Sequence, residues 1–367
     1  MSSDSYRALK EGAAIGAVAT RAAIGLSGKD RSAFLQGLLT NDVQALTAGS
    51  GCYSAWLTPQ GRMLTDLHVF ESGDMMLVDV PAELAQVTLQ RLEQFLFSED
   101  VQFADLSEAL TSVWLHGPQA AAILERVIGG STGPALRDHS LGAAGAPASG
   151  DRRPGPLDPA SLQDWPEHHN ARAEFSGSPV VVARVSQLGV PGFCVYLEPA
   201  RADDLRQALQ AAGAIVADAA AIETARVEAG YPLFGVDMTD DTIPLEAGIE
   251  GRAISLSKGC YVGQEVIIRV LHRGQGRVAR KLVAMRIEGD PPPRATKIWS
   301  GEREIGFITS AASSSRGGSA ASAGGAGSVA LGYVHRDFVE PGTRVEIESA
   351  GGRAAAVVSE RPIPVEA

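Results

Sequence analysis

The sequence predicts an α+β protein that ends in a small β-barrel. Three observations lead to this prediction. Strand-like and helix-like segments mix without strict βαβ alternation over most of the chain, which indicates a largely antiparallel sheet. After Arg273, short strand-like segments separated by turn signals dominate. The chain has 367 residues, more than one hydrophobic core usually serves, so we expect more than one domain.

The N-terminal part, 1–128, has the element pattern of one α+β domain. A strand, IGLSG, precedes a helix over DRSAFLQGLL, which Asp30 can cap. Strands over CYSAWLT and RMLTDLHVF follow, joined by a Pro-Gln-Gly turn. The strand MMLVDV then leads to a helix over AELAQVTLQRLEQFLF, and VQFADLSEALTSVWLHG predicts two further strands around a turn.

The remaining chain divides by composition. The stretch 129–170 is rich in Gly, Pro and small polar residues, so we predict a flexible excursion in which the His168-His169 pair is solvated. A second α+β segment, 171–274, contains a hairpin in PVVVARVSQLGVPGFCVYLE and helices that end at Gly213 and Gly230. The last part, 275–367, is the predicted barrel. Its loop near 311–328 is expected to be disordered, because it cannot bury enough apolar surface.

Charge and hydropathy exclude several classes of protein. The net charge of −11 at pH 7 argues against a broad, sequence-independent grip on nucleic-acid phosphates. No apolar run approaches the roughly 18 residues that a membrane-spanning helix needs. The N-terminus, MSSDSYRALKEG, lacks the basic-then-apolar order of a signal peptide. We therefore expect a cytoplasmic protein without direct nucleic-acid or membrane partners.

One of the three cysteines, Cys260, lies in a distinctive stretch, SLSKGCYVGQEVIIRV. The chain has no CxxC motif or Cys/His cluster, so neither a disulfide framework nor a metal site is predicted. Flanking glycines leave the Cys260 thiol uncrowded, and the nearby cation of Lys258 favours a thiolate. No histidine close in sequence serves as its base, and a buried spacer in a glycine-rich turn remains the alternative.

The stretch ARVEAGYPLFGVDM contains a second candidate group, Arg226 and Glu228. If a helix ends here in an irregular loop, that loop could line a pocket. A carboxylate such as that of Glu228 suits a planar heterocycle with two adjacent N–H donors, because it can accept both at once. The alternative is that both residues are surface charges on an amphipathic helix.

The third candidate is Asp66, in LTPQGRMLTDLHVF. In a strand of period 2 it shares a face with Leu64 and His68, whereas Thr65 and Leu67 point to the other face. A carboxylate in that position could line a cavity, and a partly exposed edge strand explains it equally well.

These motifs resemble those of a known family. KGCYVGQE at Lys258 to Glu265 matches the K-G-C-[YF]-x-G-Q-E signature of YgfZ-type folate-binding proteins, and Arg269 follows it. The pattern R-x-E-x-G-x-P-x-x-G-x-D, which begins at Arg226, is shared with the glycine-cleavage T-protein (aminomethyltransferase) superfamily. LQGLLTNDV and LTPQGRMLTDL are similar to the opening domain of that superfamily. EIGFITSAAS and VALGYVHRD resemble its C-terminal barrel.

The resemblance implies a three-lobed cloverleaf of two α+β folate-binding domains and the barrel, around a central cavity that binds tetrahydrofolate. By matching position, Glu228 is implied as the carboxylate that recognises the pterin. Asp66 falls in the strand that carries the catalytic aspartate of the T-protein. The superfamily often has two consecutive acids there, whereas this chain has Thr65 at the first position, which argues against aminomethyl transfer.

YgfZ-type relatives are associated with assembly or repair of iron–sulfur enzymes, including ones that modify tRNA. The resemblance therefore implies a tetrahydrofolate-binding protein that supports transient iron–sulfur client enzymes. The alternatives are a folate-dependent aminomethyltransferase or methyltransferase and a folate-binding scaffold without chemistry of its own. The residues implied for chemistry are Cys260 and Asp66, and those implied for folate or its glutamyl tail are Glu228, Arg226, Lys258, Tyr261, Gln264 and Arg269.

Overall fold

The computed structural model describes residues 2–128, 159–273, 276–314, 327–349 and 351–363. In these ranges the chain forms two β-sheets with helices and one closed six-stranded barrel. The predicted α+β class with a C-terminal barrel is confirmed. No helix within these ranges is both long and apolar enough to cross a membrane.

The helices and strands are short, and connecting loops make up much of the chain. The helices are α1 (Ser3–Glu11), α2 (Arg31–Leu38), α3 (Ala85–Gln94), α4 (Ala120–Ile128), α5 (Ala202–Ala211), α6 (Ala219–Ala229), α7 (Pro244–Ala247), α8 (Glu250–Ala253) and α9 (Gln264–Ile268). The strands are β1 (Ala14–Ile15), β2 (Arg21–Ser27), β3 (Gly51–Leu57), β4 (Met63–Glu71), β5 (Met76–Pro81), β6 (Gln102–Asp105), β7 (Thr111–His116), β8 (Asn170–Phe175), β9 (Ser178–Arg184), β10 (Gly192–Leu197), β11 (Ile215–Val216), β12 (Arg280–Ile287), β13 (Lys297–Ser300), β14 (Arg303–Ser313), β15 (Ser328–His335), β16 (Arg344–Ser349) and β17 (Gly352–Ser359).

The first sheet has the order β3-β4-β5-β2-β6, and all its pairs are antiparallel. Leu67 and Val69 of β4 lie in one core with Leu35 of α2 and Leu92 of α3. Because side chains alternate along a strand, the residues between and beside these two point to the opposite face of the sheet. The helices therefore cover one face only, and the other is available to a second layer.

Helix α2 begins where the sequence predicts, but its cap differs. The Asp30 side chain makes no capping hydrogen bond to the first turn of α2. Its Oδ2 instead accepts from the backbone N–H of Asp100 at 2.8 Å. The predicted side-chain cap is therefore wrong, because the carboxylate ties the helix start to the loop before β6.

The second sheet has the order β11-β1-β7-β10-β9-β8, so its strands come from both sides of the segment 129–158. Helices α4 and α5 cover its outer face. Its inner face contacts the first sheet, since Trp114 and Tyr196 share a buried cluster with Phe70 and Leu77. The inner faces of the two sheets therefore meet.

Most of the predicted excursion, 129–158, lies outside the described residues. From Pro159 onward the chain forms a 3₁₀ turn and then β8, with Leu162 and Trp165 buried. This last part differs from the predicted flexible stretch, because its two large apolar side chains complete the core beneath α4. Residues 315–326 of the predicted barrel loop also lie outside the described ranges, and the proposed domain boundaries stay a prediction.

The barrel closes in the order β12-β15-β14-β13-β16-β17, with β17 pairing back to β12. Its interior holds aliphatic residues such as Ile298, Ile308 and Val334. Its outer surface contacts α6, where Val227 packs with Tyr333. Helices α7 to α9 pack against the β3–β4 end of the first sheet. The segment that carries KGCYVGQE thus precedes the barrel in sequence and packs directly against the first sheet.

Candidate functional site

Asp66 lies at the centre of a buried polar cluster on the inner face of the first sheet. Its side chain is 3% exposed. The Tyr53 hydroxyl, from β3, donates to Asp66 Oδ2 at 2.9 Å. Arg21 Nη1, from β2, donates to Asp66 Oδ1 at 3.3 Å. A phenol and a guanidinium therefore fix both oxygens of this carboxylate.

Arg21 also pairs with a second carboxylate, that of Asp79 on β5. Arg21 Nε bonds to Asp79 Oδ1, and Arg21 Nη2 donates to the Asp79 carbonyl oxygen at 2.8 Å. Across the interface, the Tyr196 hydroxyl of the second sheet donates to Asp79 Oδ2 at 2.7 Å. Burial raises the pKa of Asp79. Arg21 thus bridges two acids, and Asp79 joins the two sheets through a hydrogen bond.

Two histidines meet at the edge of the same cluster. His68 Nδ1 lies 3.0 Å from His168 Nε2, so one ring nitrogen donates to the other. Burial lowers the pKa of His68 well below its ordinary value and that of His168 to about 4. Both rings are therefore neutral at pH 7. The prediction that His168 is solvated is wrong, because its ring packs against His68 and Phe70.

Arg252, at the third position of α8, adds a second guanidinium. Its Cζ lies 4.6 Å from the ring centroid of Tyr53 and 4.1 Å from that of Tyr231, which are cation–π distances. Its Nη2 is buried, and within the described ranges no hydrogen-bond acceptor contacts it. The backbone carbonyl of Arg252 accepts from Asn41 Nδ2 at 3.0 Å, which fixes α8 to the first sheet's loops.

The buried cluster can therefore both accept and donate hydrogen bonds. Asp66 is the acceptor, and Arg252 Nη2 is the donor that the described protein groups leave unused. The two groups contact the same tyrosine, Tyr53, one at its hydroxyl and the other at its ring. This arrangement suits a polar ligand with an N–H group and a carbonyl or carboxylate oxygen.

Arg226, predicted for folate, lies instead in a fully buried ionic clamp. Its Nη1 donates to Asp237 Oδ2 at 2.7 Å, and its Nη2 bonds to Glu223 at 2.6 Å and to Ser310 Oγ at 2.7 Å. Ser310 belongs to β14, so this clamp joins α6 to the barrel. The hydrogen-bond partners of Arg226 in the described ranges are protein groups, which indicates a structural role.

Glu228, the predicted pterin-recognising carboxylate, faces α1. The Tyr6 hydroxyl donates to Glu228 Oε2 at 2.5 Å, and Lys10 Nζ lies 3.5 Å from the same oxygen. The Glu228 carbonyl accepts from the Ile363 N–H at 2.8 Å. The structure therefore connects Glu228 to both ends of the described chain, while Tyr231, three residues on, is the member of this segment that contacts the Asp66 cluster.

Lys258 of the KGCYVGQE motif is surrounded by backbone carbonyls of the protein. Its Nζ donates to the carbonyls of Gln36, Leu39 and Asn41 at 2.7, 2.5 and 2.9 Å. These carbonyls lie at the C-terminal end of α2, where a cation complements the helix dipole. Burial lowers the pKa of Lys258 to about 8. The three protein acceptors use all three of its N–H donors, and the pairing of Lys258 with a thiolate or a folate tail stays a prediction.

Cys260 is exposed, whereas Cys52 and Cys194 are buried. Burial raises the pKa of Cys52 to about 12. The loop that carries Cys260 is anchored on both sides, by Lys258 before it and by Val262 N–H, which donates to the Gly37 carbonyl at 3.2 Å, after it. Cys260 is therefore the accessible thiol of the described chain, on a fixed surface loop.

The other predicted motif residues occupy three different environments. Tyr261 is buried with the α7–α9 core; burial raises its pKa to about 12, and its hydroxyl has no partner in the described ranges. Gln264 begins α9 and is half-buried. Arg269 is exposed and pairs with Glu265 one turn earlier. In the part of the chain that the structure describes, none of these three side chains hydrogen-bonds to the Asp66 cluster.

Several members of the cluster are not among the residues predicted from sequence. The sequence offers a sign of Asp79, because a carboxylate inside the apolar run MMLVDV is buried only where polar partners surround it. His68 shares the strand face of Asp66, as the period-2 pattern indicates. The remaining members come from distant segments and carry no local signal: Arg21, Tyr53, Tyr196, Tyr231, His168 and Arg252.

The class of protein follows from three features. Two helix-covered β-sheets face each other, a closed barrel follows them, and a buried carboxylate lies on the inner face of β4. This is the architecture of the glycine-cleavage T-proteins. The structure is similar to that of the glycine cleavage system aminomethyltransferase T from Bartonella henselae, with a TM-score of 0.78 and 22% identity, over 98% of this chain and 88% of that one. At that identity the likeness shows the fold.

The sequence comparisons give the family. Residues 1–134 and 157–258 match the GCVT N-terminal domain, and residues 280–363 match the glycine cleavage T-protein C-terminal barrel domain. Because these matches cover well over half of its length, the chain belongs to the glycine-cleavage T-protein family.

Curated relatives agree with this assignment. An aminomethyltransferase of Nostoc sp. is 27% identical over 92% of this chain and 81% of its own length. One of Rubrobacter xylanophilus is 29% identical over 78% of this chain and 68% of its own length. A protein of Arabidopsis thaliana described as a putative chloroplastic transferase is 25% identical over 92% of this chain and 68% of its own length. The narrower YgfZ-type resemblance of the KGCYVGQE motif stays a prediction.

Proposed function

We propose that this protein binds tetrahydrofolate and transfers a one-carbon group to it, in the manner of an aminomethyltransferase. The observation that supports this proposal most strongly is the buried Asp66 carboxylate, held by Arg21 and Tyr53 on the inner face of β4. Family membership supports the same chemistry, since the relatives include proteins described as aminomethyltransferases.

The replacement of an acid by Thr65 does not remove the carboxylate that this chemistry needs. Thr65 pairs with Trp56 across the β3–β4 ladder and points to the helix-covered face, with Leu67. Its hydroxyl donates to the Asp66 carbonyl at 3.0 Å. Asp66 points to the inner face. Thr65 therefore affects the packing on the helix side and leaves the polar cluster intact. Its presence in place of an acid is no argument against aminomethyl transfer at Asp66.

The described residues fit tetrahydrofolate. The reduced pteridine presents ring N–H groups and a carbonyl, which match the acceptor Asp66 and the unused donor Arg252 Nη2. When bound, tetrahydrofolate supplies the N5 and N10 amines that accept the one-carbon unit. Asp66 takes up the proton that N5 loses, while Arg21 and Tyr53 hold the carboxylate in position.

The overall reaction transfers the methylene carbon of an aminomethyl group, carried on a dihydrolipoyl thiol, to tetrahydrofolate. The carbon–sulfur and carbon–nitrogen bonds of the donor break, two carbon–nitrogen bonds to N5 and N10 form, and ammonia and the free thiol are released. The product is 5,10-methylenetetrahydrofolate. No oxidant or reductant is needed.

Turnover of this reaction by the pure protein tests the proposal. With tetrahydrofolate and an aminomethyl-dihydrolipoyl donor, we expect stoichiometric ammonia and 5,10-methylenetetrahydrofolate. Asp66→Asn should lower the rate by about 10²- to 10⁴-fold, because it removes a general base. Thr65→Ser, next to it on the opposite face, should retain the rate. If wild type does not turn over, the transfer proposal is wrong.

A second candidate function rests on Cys260. Its thiol is exposed on a loop anchored by Lys258 and Val262, a placement that aminomethyl transfer at Asp66 does not require. We propose as the alternative that this cytosolic protein supports iron–sulfur client enzymes through Cys260, as the motif's resemblance implies. Folate binding at Asp66 is common to both candidates.

Iron–sulfur enzyme activities in cells under oxidative stress test this alternative. Cys260→Ala should lower these activities, because it removes the accessible thiol, whereas Cys194→Ala, at a buried thiol on the second sheet, should not act through client enzymes. Unchanged activities with Cys260→Ala, at equal protein level, would remove the alternative and leave aminomethyl transfer.

A further inference from the structure

We infer that Arg252 recognises the pteridine ring of tetrahydrofolate, by donating Nη2–H to the ring carbonyl beside the N5–H that Asp66 accepts. This inference rests on the proposed folate binding and deepens it. It assigns pteridine recognition to a residue of α8 rather than to Glu228, whose carboxylate accepts from Tyr6 and lies near Lys10.

Arg252 is held in place by the protein and keeps one N–H donor that no described protein acceptor uses. Its guanidinium lies over the rings of Tyr53 and Tyr231, at 4.6 and 4.1 Å. The charge of Asp66 acts on this guanidinium, no ion pair joins the two groups in the described ranges, and Nη2 is buried without an acceptor. A buried guanidinium N–H without a partner costs free energy, because it has lost its hydrogen bonds to water and gained none from the protein. A ligand oxygen at Nη2 would recover that loss.

The other cations of the region already have protein partners. Arg21 bonds to Asp66 and Asp79, and Lys258 donates to three carbonyls. Arg226 is closed in its clamp with Asp237. Arg252 is thus the cation of the Asp66 cluster that keeps an unused donor.

The chemistry of the reduced pteridine matches this pair of groups. The ring carbonyl carbon and the carbon that bears N5 are adjacent, so an acceptor oxygen and a donor N–H lie side by side on one edge. Asp66 and Arg252 present the complementary acceptor and donor, and both contact Tyr53. A hydrogen bond from a charged donor to that carbonyl orients the ring so that N5 faces Asp66. The glutamyl carboxylates of folate are the other oxygens that a guanidinium could take.

Calorimetric titration of two ligands separates ring recognition from tail recognition. Tetrahydrofolate carries both groups, whereas 6-methyltetrahydropterin carries the ring alone. With Arg252→Met we expect the affinity for both ligands to fall by the same factor, about 10-fold to 100-fold, as for a lost hydrogen bond to a charged group. Arg294→Met, which removes an exposed arginine of the barrel region, should leave both affinities unchanged.

Two results would overturn the inference while leaving folate binding intact. A loss for tetrahydrofolate alone would place Arg252 at the glutamyl tail, and no loss for either ligand would remove it from the site. If the wild type bound neither ligand, both this inference and the proposed function would be wrong. Should Arg252→Met fail to fold, Arg252→Lys keeps the charge without the planar fork, and the same equal loss is expected.

Discussion

At the scale of single residues, strand alternation determines which side chains reach the site. Thr65 and Asp66 are neighbours in sequence, yet one packs beside Leu67 under the helices and the other bonds to Arg21 and Tyr53 between the sheets. In a pattern of two consecutive acids, the first position therefore belongs to the packing under the helices, and only the second reaches the polar cluster. In the proposed transfer reaction, the position that takes up the proton is Asp66, which keeps its acid.

Arg226 gives a residue-scale prediction. Arg226→Met should lower the free energy of unfolding by about 3–5 kcal/mol, because it leaves the Asp237 carboxylate buried without its cation. Arg269→Met, at an exposed pair, should cost less than about 1 kcal/mol. Urea denaturation measures both. If Arg226→Met kept its stability but lost tetrahydrofolate affinity, Arg226 would line the folate site as the resemblance implies.

At the scale of elements, residues of the KGCYVGQE motif pack its loop against the first sheet. Gly263 has a φ of +83°, and a Cβ there would lie 2.5 Å from the Thr58 carbonyl oxygen in the β3–β4 turn. Lys258 caps the end of α2 from the same loop. The motif therefore fixes the loop against the turn of the hairpin that carries Asp66, and it presents Cys260 to solvent. Part of its specificity as a signature has a structural origin.

Two glycines of this motif give an element-scale prediction. Gly263→Ala should destabilise the protein by about 2 kcal/mol or more, since alanine disfavours positive φ and its Cβ meets backbone. Gly259→Ala should be nearly neutral, because a Cβ there meets nothing within 4 Å. Thermal and urea unfolding of the two variants compare them directly. Equal stabilities would show that the loop does not depend on its contact with the β3–β4 turn.

Element types were predictable where one physical signal dominated. Period-2 patterns gave the strands around Asp66, and glycine gave the end of α6 at Gly230, which adopts a left-handed conformation with φ of 66°. The cap at Asp30 was not predictable, because the competing acceptor role toward the Asp100 N–H depends on a loop 70 residues away. The pairing of β7 with β1 and with β10 likewise depends on tertiary contact alone.

At the scale of the whole molecule, the site exists because two sheets meet face to face. Tyr196 reaches Asp79 and His168 reaches His68 across this interface, at sequence separations of 117 and 100 residues. No local pattern contains such pairs, so sequence reasoning could locate Asp66 and its strand neighbour His68 but not the partners that come from distant segments. The family motifs supplied the fold, and the facing sheets supply the chemistry of the cluster.

The buried histidines predict how stability depends on pH. Burial lowers the pKa of His116 and of His168 from 6.5 to about 4 in the folded protein. As the pH falls from 6.5 to 4, the unfolded chain binds protons first, so each histidine should lower stability by up to about 1.4 kcal/mol per pH unit. Above pH 6.5 their contribution is complete and constant.

Urea unfolding between pH 7 and pH 4.5 measures this slope. His116→Phe removes one titrating ring from the second sheet and should flatten the slope, whereas His272→Gln, at an exposed histidine, should leave it unchanged. A slope identical in wild type and His116→Phe would mean that this histidine is already protonated or solvated in the folded state.

A crystal structure of the protein with tetrahydrofolate bound tests the proposed function most directly. We expect the pteridine at the inner face of the first sheet, with N5 within hydrogen-bond distance of the Asp66 carboxylate and the ring beside Tyr53. A pteridine bound at Glu228 and Lys10, or anywhere that leaves Asp66 without a contact to it, would show that the proposed site is wrong.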